Sequence, residues 1–436
     1  MPKEVQEWVT RTQQQIDYNS HFSQIQALKI MMDTMLARQK KLLEKLSLIK
    51  EPADFERTLF SLIIEIIKVQ QIWDFFRDKL ELRFSPNFKD PLAIADTVAW
   101  DCYRPTLNKA QEFGIISQDR FREPPLTYLT AEFSPATWVR GSRPDDGRDY
   151  LNGTVVLPIP VIEIPWDHVV NIWEFLSLPH EVGHDIEADL GLRPVFQNSL
   201  AQQLRQNGVP EPRVRIWVSW EAEIVADLIG LLLAGPAFAY YMVNLLTLSP
   251  EAVTTYDDDD PHPSHYLRIF INTAFIKTLL VGDSTLVEDA KHLDDLWTQL
   301  YGNLTQLGNH SVADFKSDFD IVFKALIDTK FEALQKHSVR EIIPFTNQDN
   351  ATIRATVEFL VTGQNRPSNI RPRHIISASR LAVDRIMSQA DNQSTKLTEL
   401  NTRTAELVKA NTPPGLRAAE DSQKHRAFIV SLAEAI

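Results

Sequence analysis

Two histidines and a glutamate at close spacing are the residues of this sequence best suited to chemistry. His180, Glu181 and His184 form an H-E-x-x-H pattern. On a helix, residues four apart share one face, so both imidazoles can reach one metal ion. Glu181 lies one step around the helix, where its carboxylate can take a proton from a metal-bound water. The spacing therefore predicts metal-assisted hydrolysis with Glu181 as the general base.

The competing interpretation of this pattern is a pair of surface histidines on an exposed helix, and the neighbouring residues argue against it. Gly183 is disfavoured in a helix by about 1 kcal/mol relative to Ala, so it indicates close backbone packing or room for a ligand. Gly191 is suited to end the helix. Pro179 either lies in the first turn of a helix that starts there or kinks a longer helix from Asp167. Both options keep the two histidines on one face.

Glu223 and Asp227 are the candidates for completing the site. A zinc ion held by two histidines needs a third protein ligand. These two carboxylates are four residues apart in an apolar run, where an unpaired charge is costly. Glu223 can therefore be the third ligand, and Asp227 can accept the far N–H of a ligand imidazole. The alternative is that Glu221 and Glu223 flank a helix start, with Asp227 at its wet end.

The proline-rich segment that follows the acidic run Asp257–Asp260 supplies two more histidines. His262 or His265 can donate a hydrogen bond to a developing oxyanion, a role worth roughly 3–4 kcal/mol when the donor is well placed. Arg268 can pair with a nearby Asp or Glu and hold the loop. The alternative is an ordinary loop before a helix, in which none of these residues acts on a substrate.

Three ordered motifs resemble the gluzincin zinc metallopeptidases of the CAAX-prenyl-protease and HtpX type. They are H-E-V-G-H at 180–184, E-I-V-A-D at 223–227 and H-P-S-H-Y-L-R-I at 262–269. The resemblance covers only this part of the chain. It implies a zincin-like core, peptide-bond hydrolysis with zinc as the cofactor, Glu223 as the third ligand and Asp227 beside the ligands. It also implies that His262 and Arg268 lie near the substrate.

Composition predicts a soluble, cytoplasmic protein. The 436 residues carry a formal net charge of -13, so neither nucleic acid nor an anionic membrane is an expected partner. Cys102 is the only cysteine, which excludes an internal disulfide and a cysteine-rich zinc site. The first residues show no signal-peptide pattern. The uncharged run Leu228–Leu248 is long enough for one membrane span, but its Gly, Pro and Asn residues favour a buried core helix.

The hydrophobic pattern predicts an N-terminal helical hairpin over residues 1–83. Its second helix is expected to be capped by Asp54, and its apolar positions are Leu59, Ile63, Ile66, Ile67, Ile72, Phe76 and Leu80. Such a hairpin can pack on the rest of the chain, which is the simpler interpretation, or serve as a dimerisation or partner-binding arm. The short apolar seam favours the simpler one.

Residues 84–340 are predicted to form a zincin-like metallopeptidase domain, and residues 341–436 a C-terminal helical region. Three short β-prone runs, Leu126–Phe133, Thr137–Val139 and Thr154–Ile164, predict a small sheet. Prolines in the last run predict an edge strand or a broken strand. The fold class is therefore α+β and predominantly helical.

These patterns predict a zinc-dependent metallopeptidase that acts on a peptide or protein substrate. The alternative is a helical scaffold or partner-binding protein that retains a structural zinc site. The substitution Glu181→Gln separates the two hypotheses, because hydrolysis needs a general base and a structural site does not. The sequence names neither the cleavage preference nor the oligomeric state.

Overall fold

Helices form most of the part of the chain that the structure describes. The structure is a computed structural model, and it describes residues 21–117, 122–143, 156–257, 260–389, 392–412 and 426–435, together with Glu7 and Thr10. Within these residues the chain is mostly helical with a small sheet, which confirms the predicted α+β, predominantly helical class.

Helices and strands follow one another in this chain order. The helices are α1 (Phe22–Leu46), α2 (Pro52–Glu81), α3 (Lys89–Glu112), α4 (Ser177–Leu190), α5 (Arg193–Gln206), α6 (Glu211–Ser219), α7 (Glu221–Ala234), α8 (Ala237–Leu246), α9 (Pro250–Thr254), α10 (His265–Leu279), α11 (Ser284–Tyr301), α12 (Val312–Phe323), α13 (Val339–Ile342), α14 (Asn347–Thr362), α15 (Pro372–Met387), α16 (Gln393–Ala410) and α17 (Arg426–Ala435). The strands are β1 (Leu126–Thr130), β2 (Ala136–Trp138), β3 (Val161–Pro165), β4 (Gln306–Leu307) and β5 (His310–Ser311).

The chain divides into two compact units. One comprises residues 1–96, 117–166 and 413–436, and the other comprises residues 97–116 and 167–412. These bounds differ from the three predicted segments because packing does not follow chain order. The last helix, α17, packs on α1, whereas α14 and α15 belong to the unit that contains α4 and α7.

The predicted hairpin is present in the first unit as α1 and α2. The residues that α2 buries differ in part from the predicted apolar series. Of the predicted apolar series, Ile72, Phe76 and Leu80 are buried and Ile67 is half-buried, whereas Leu59, Ile63 and Ile66 are exposed. Asp54 lies in the first turn of α2 and does not cap it. The helix begins instead at a proline, whose missing N–H is harmless in a first turn.

A three-stranded sheet completes the core of the first unit. The strand order is β1-β3-β2, with β3 parallel to β1 and antiparallel to β2. The predicted edge position of β3 is therefore wrong, whereas the alternative of a broken strand agrees with residues 156–160, which precede β3 and are not part of a strand. Pro158 and Pro160 precede the strand and Pro165 is its last residue, so none of the three interrupts the ladder in the middle, where a missing N–H would be costly.

The second unit is built around two helices, α4 and α7, that carry the predicted metal-binding motifs. The apolar run Leu228–Leu248 is buried, as expected, but it forms two helices instead of one. Gly235 takes a φ of 66° and Pro236 follows it, so α7 ends there and α8 begins. Within the described residues, none of the helices combines the length and apolar character needed to cross a bilayer.

Candidate metal centre

The two helices of the site approach each other unusually closely at Gly183. A Cβ atom added at this position would lie 2.9 Å from the Cα atom of Ala226 in α7. That distance is shorter than two packed carbon atoms allow. The sequence left open whether Gly183 provides close packing or room for a ligand, and the contact identifies it as a packing residue.

The ends of α4 agree with the expectation from the sequence. Two short 3-10 segments precede the helix, which starts at Ser177, so Pro179 lies in the first turn and no longer helix is kinked. Gly191 adopts the left-handed conformation with a φ of 65° and ends the helix. The helix is therefore short and defined at both ends, and it carries both histidines on one side.

Three side chains converge on one point between α4 and α7. The Nε2 atoms of His180 and His184 are 3.2 Å apart. Oxygen atoms of Glu223 lie 3.5 Å from the first nitrogen and 3.4 Å from the second. Ligand atoms about 2.0–2.1 Å from a tetrahedral ion are separated by roughly 3.3 Å. The two distances from Glu223 go to different oxygens, Oε2 and Oε1; with one ligand atom taken from each residue, the sides of this triangle are within 4.8 Å, and these three residues could hold a metal ion.

Asp227 fixes the orientation of His180. Its Oδ1 atom accepts a hydrogen bond from Nδ1 of His180 at 2.9 Å, which leaves Nε2 directed at the other two residues of the triangle. Only 1% of Asp227 is exposed, so the alternative of a wet helix end does not apply. The expected contact between Asp227 and a ligand imidazole is present.

The other side of Asp227 is held by α10. Arg268 donates from Nε to Oδ2 at 2.7 Å and from Nη2 to Oδ1 at 2.8 Å, and Nη2 also lies 3.1 Å from Glu223. Asn272 donates from Nδ2 to Oδ2 at 3.0 Å. Arg268 therefore pairs with acidic groups as expected, and the groups it pairs with are the carboxylates of α7.

Protonation of the triangle follows from burial and mutual contacts. Burial by itself would lower the pKa of His180, but hydrogen bonds with Asp227 and Glu223 outweigh it and raise the pKa to about 10. Burial would raise the pKa of Glu223, but both histidines and Arg268 hold it well below its ordinary range. Burial would also raise the pKa of Asp227, but Arg268 and His180 outweigh it and lower that pKa to about 2. The site keeps two ionised carboxylates and a cation beside them, so a metal ion that binds here would displace a proton.

Glu181 is buried next to the triangle and takes no part in it. Only 4% of the residue is exposed. Burial raises the pKa of its carboxyl, and the neighbouring histidines lower it by less. A carboxyl group with a raised pKa is suited to accept and return a proton near neutral pH.

His262 lies at the open side of the site, on a loop. Its side chain is 51% exposed, and its Nε2 atom is 3.6 Å from Oε1 of Glu223. Asp260 accepts hydrogen bonds from the backbone N–H of His262 at 2.8 Å and from Nδ1 at 2.9 Å. Because an ionised carboxylate only accepts, Nδ1 carries a proton. Nε2 can therefore donate when the ring is charged and can bind a metal when it is neutral.

His265 is separate from this arrangement. It is the first residue of α10 and is partly buried, and burial lowers the pKa of its imidazole. Its Nδ1 atom is buried and has no hydrogen-bond partner within the part of the chain that the structure describes. Among the described residues, the group that could hold a metal does not include it.

Two features of the site were missed by the sequence prediction. Asn272 is four residues after Arg268, so the helix spacing could have placed both on one face. Glu221 is completely buried; burial and the neighbouring Glu187 raise the pKa of its carboxyl to about 9. Glu221 and Glu223 lie in the first turn of α7 and so flank the helix start, as the alternative has it, but they do not cap it, because the residue at the cap position is Trp220 and makes no side-chain cap bond.

The case for a metal centre depends on the geometry of one small group of side chains. His180, His184 and Glu223 come from two helices and meet within 4.8 Å, and each is mostly buried, with 12%, 17% and 16% of the side chain exposed. Comparison with protein-family models, with curated proteins and with solved structures finds no match to this chain.

Proposed function

We propose that the protein is a zinc-dependent metallopeptidase of the gluzincin type, with His180, His184 and Glu223 as metal ligands. The observation that supports this most directly is the triangle formed by these three residues, in which one ligand atom from each lies within 4.8 Å of the other two. Two histidines and one glutamate are a donor set found in catalytic zinc sites, and three protein ligands leave one position open. The proposal includes a zincin-like arrangement of the two ligand-bearing helices.

The cation at this site would acidify a water molecule and polarise the scissile carbonyl. The remaining steps of the reaction are assigned to side chains of the protein. Glu181 accepts the proton of the attacking water and returns it to the leaving amine. His262, when charged, donates from Nε2 to the carbonyl oxygen as negative charge develops there. Asp227 and Arg268 keep His180 and Glu223 in place.

Burial of Glu181 supports its role as the proton acceptor. A carboxylate that only filled a surface position would be solvated and would keep an ordinary pKa. Here burial raises the pKa of Glu181, which makes the carboxylate a stronger base. The substrate class that follows is a peptide or an unfolded segment of a protein, because the chemistry is attack on an amide carbonyl.

The second candidate is a structural zinc site in a non-enzymatic scaffold, and His262 is the observation that favours it. Structural zinc sites are closed by four protein ligands. The Nε2 atom of His262 is 3.6 Å from Glu223, so a small movement of its exposed loop would bring a fourth ligand to the triangle. In that case Glu181 would have no role in turnover.

Three variants and one metal measurement separate these functions. Purified protein is expected to contain one zinc per chain by mass spectrometry, and Glu223→Ala is expected to lose it. Glu181→Gln keeps the metal, but its cleavage of a pool of unstructured peptides falls by roughly 10²–10⁴-fold. His262→Ala keeps the metal and loses roughly 10²–10³-fold in rate.

The opposite pattern identifies the scaffold. Loss of zinc from His262→Ala, together with no peptide cleavage by the wild-type protein, would assign His262 as a fourth ligand. Zinc that survives in Glu223→Ala would remove the basis of both candidates. His265→Ala is the matched control, because this histidine is nearby and lies outside the triangle.

A further inference from the structure

We propose that the N-terminal hairpin is a self-association surface that binds the same surface on a second copy of this chain. This hairpin surface consists of seven exposed large apolar side chains. They are Leu43, Leu48, Phe55, Leu59, Phe60, Ile63 and Ile66. The inference concerns the first unit alone and does not depend on the proposed metallopeptidase function.

The exposed apolar residues of α2 form a continuous stripe. Phe55, Leu59, Ile63 and Ile66 follow one another at steps of four, four and three residues, which places them on one side of the helix. Phe60 flanks them and is 64% exposed. The inward face of α2 is a different one, with Leu62, Val69 and Ile72 among its buried residues. A helix with two apolar stripes can bury one against α1 and has a second available for another partner.

This part of the hairpin contains little core of its own. Among the described residues 36–50, no side chain is buried. The last buried apolar residue of α1 is Met35, and the first in α2 is Leu62. Helices gain most of their stability in water from burial of an apolar face, and a pair without a core is marginal. Docking of a partner on the hairpin surface would supply the missing burial.

The charges of the hairpin favour a second copy as that partner. Residues 36–50 at the end of α1 contain five basic residues and one acidic residue, whereas residues 51–66 contain four acidic residues and one basic residue. A two-fold axis can place the basic segment of one copy against the acidic segment of the other, twice. An anionic bilayer would meet the exposed carboxylates Glu51, Asp54 and Glu56 as well as the lysines, which weakens that alternative.

The size of the hairpin surface agrees with a dimer. The exposed fractions of its seven side chains run from 37% to 80%. With roughly 150–250 Å² for each fully exposed large side chain, the seven together expose several hundred Å². A standard interface buries about 800 Å² per partner, and a monomer exposes at most about 300–600 Å² in its largest patch.

Sedimentation velocity of the full chain between about 1 and 100 μM tests the proposal. The wild-type protein is expected to form a dimer, and the double variant Phe60→Asp with Ile63→Asp is expected to weaken association by roughly tenfold or more. Val281→Asp is the control, because Val281 is 99% exposed and lies outside the hairpin. A wild-type monomer at every concentration overturns the proposal, and so does flotation of that monomer with lipid vesicles.

A charge exchange tests the two-fold arrangement and does not depend on the apolar substitutions. One variant carries Lys41→Glu with Lys45→Glu, and the other carries Asp54→Lys with Glu56→Lys. Each alone is expected to remain monomeric, because like charges then meet at both contacts. Their mixture is expected to dimerise nearly as well as the wild type, since both contacts become attractive. A mixture that stays monomeric overturns this arrangement.

Discussion

Asp227 is the residue on which the candidate metal centre depends most. It accepts hydrogen bonds from His180, Arg268 and Asn272, so it connects the ligand helix α4 to α10. Ligand histidines in metal sites commonly donate their second N–H to such a group, which fixes the ring and its tautomer. Without this acceptor, Nε2 of His180 would no longer be held toward His184 and Glu223.

We therefore expect a graded loss of metal affinity from two substitutions. Asp227→Asn should raise the zinc dissociation constant by roughly 10–100-fold. Asn272→Ala should raise it by less, because Arg268 still donates two hydrogen bonds to Asp227. Competition with a chromophoric zinc chelator measures both constants.

Asn244→Ala is the control for this series, since Asn244 donates to Glu174 and lies outside the network. The zinc dissociation constant of Asn244→Ala should equal that of the wild-type protein. An Asn272→Ala variant that loses as much affinity as Asp227→Asn would contradict this ranking of the two residues and would make Asn272 the principal support.

Single residues of the site differ in how well the sequence predicts them. The relation between His180 and His184 follows from helix spacing alone, and that between Glu223 and Asp227 follows in the same way. The hydrogen bonds from Arg268 to Asp227 link two helices, and no spacing rule gives the angle at which two helices pack. The protonated Nδ1 of His262 likewise depends on a loop carboxylate, Asp260, whose position only the structure supplies.

At the scale of helices, the site is set by the distance between α4 and α7. Gly183 permits this approach, since any larger residue would meet the backbone at Ala226. A shift of α4 away from α7 that relieved this contact would also move His184 away from Glu223. Gly183 and His184 lie together on α4, and Ala226 and Glu223 lie together on α7. Packing and metal binding are thus coupled through one glycine.

Gly183→Ala is accordingly expected to weaken zinc binding and to lower stability, although alanine is the better helix former by about 1 kcal/mol. The added Cβ would lie 2.9 Å from backbone that cannot move alone, and overpacking of this kind costs roughly 1–3 kcal/mol. Chelator competition and chemical denaturation measure the two effects.

Gly191→Ala separates packing from backbone strain. Gly191 has a φ of 65° and no atom within 4 Å of an added Cβ, so alanine there should cost roughly 1–2 kcal/mol of stability with unchanged zinc affinity. If the Gly183 variant kept its zinc affinity as well, the close approach of the two helices would not matter for the metal.

Errors of the sequence prediction at this scale have physical causes. The position of β3 was assigned from its prolines, but a proline is harmful only where its N–H would enter the ladder, and Pro158 and Pro160 lie before it. The inward face of α2 was assigned from a single apolar series, whereas this helix has two. The exposed residues Leu59 and Ile63 lie on one helical stripe, and the buried Leu62 lies on the other. Periodicity alone does not reveal which of the two stripes packs on α1.

At the scale of the whole chain, two units with separate cores replace the three segments expected from chain order. Local patterns predict elements, but they carry little information on which distant elements share a core. The contact of α17 with α1 joins the two ends of the chain, and no pattern in either helix indicates the other. Long-range packing of this kind depends on the shapes of the two surfaces.

Each unit also has its own buried charges, and those of the first unit predict its behaviour in acid. Arg83 and Asp96 form an ion pair at 2.8 Å with 5% and 7% of their side chains exposed. Burial alone would raise the pKa of Asp96, but Arg83 and His21 outweigh it and hold the pKa well below its ordinary value of 3.8. The stability that the carboxylate contributes is therefore present above pH 3.8 and is lost as the pH falls toward the lower folded-state value.

Asp96→Asn should destabilise the first unit by roughly 3–5 kcal/mol at neutral pH, because it leaves Arg83 buried without its counter-charge. Thermal unfolding of this variant followed by circular dichroism is expected to show the transition of the first unit at a lower temperature and that of the second unit unchanged. The difference from the wild type should shrink as the pH falls below about 3.8, since the carboxyl of the unfolded wild-type chain is then protonated while that of the folded state is still ionised. At neutral pH the zinc affinity of Asp96→Asn should equal that of the wild type, because the candidate ligands belong to the other unit. A difference that grows in acid would show that Asp96 is not the group whose charge stabilises this core.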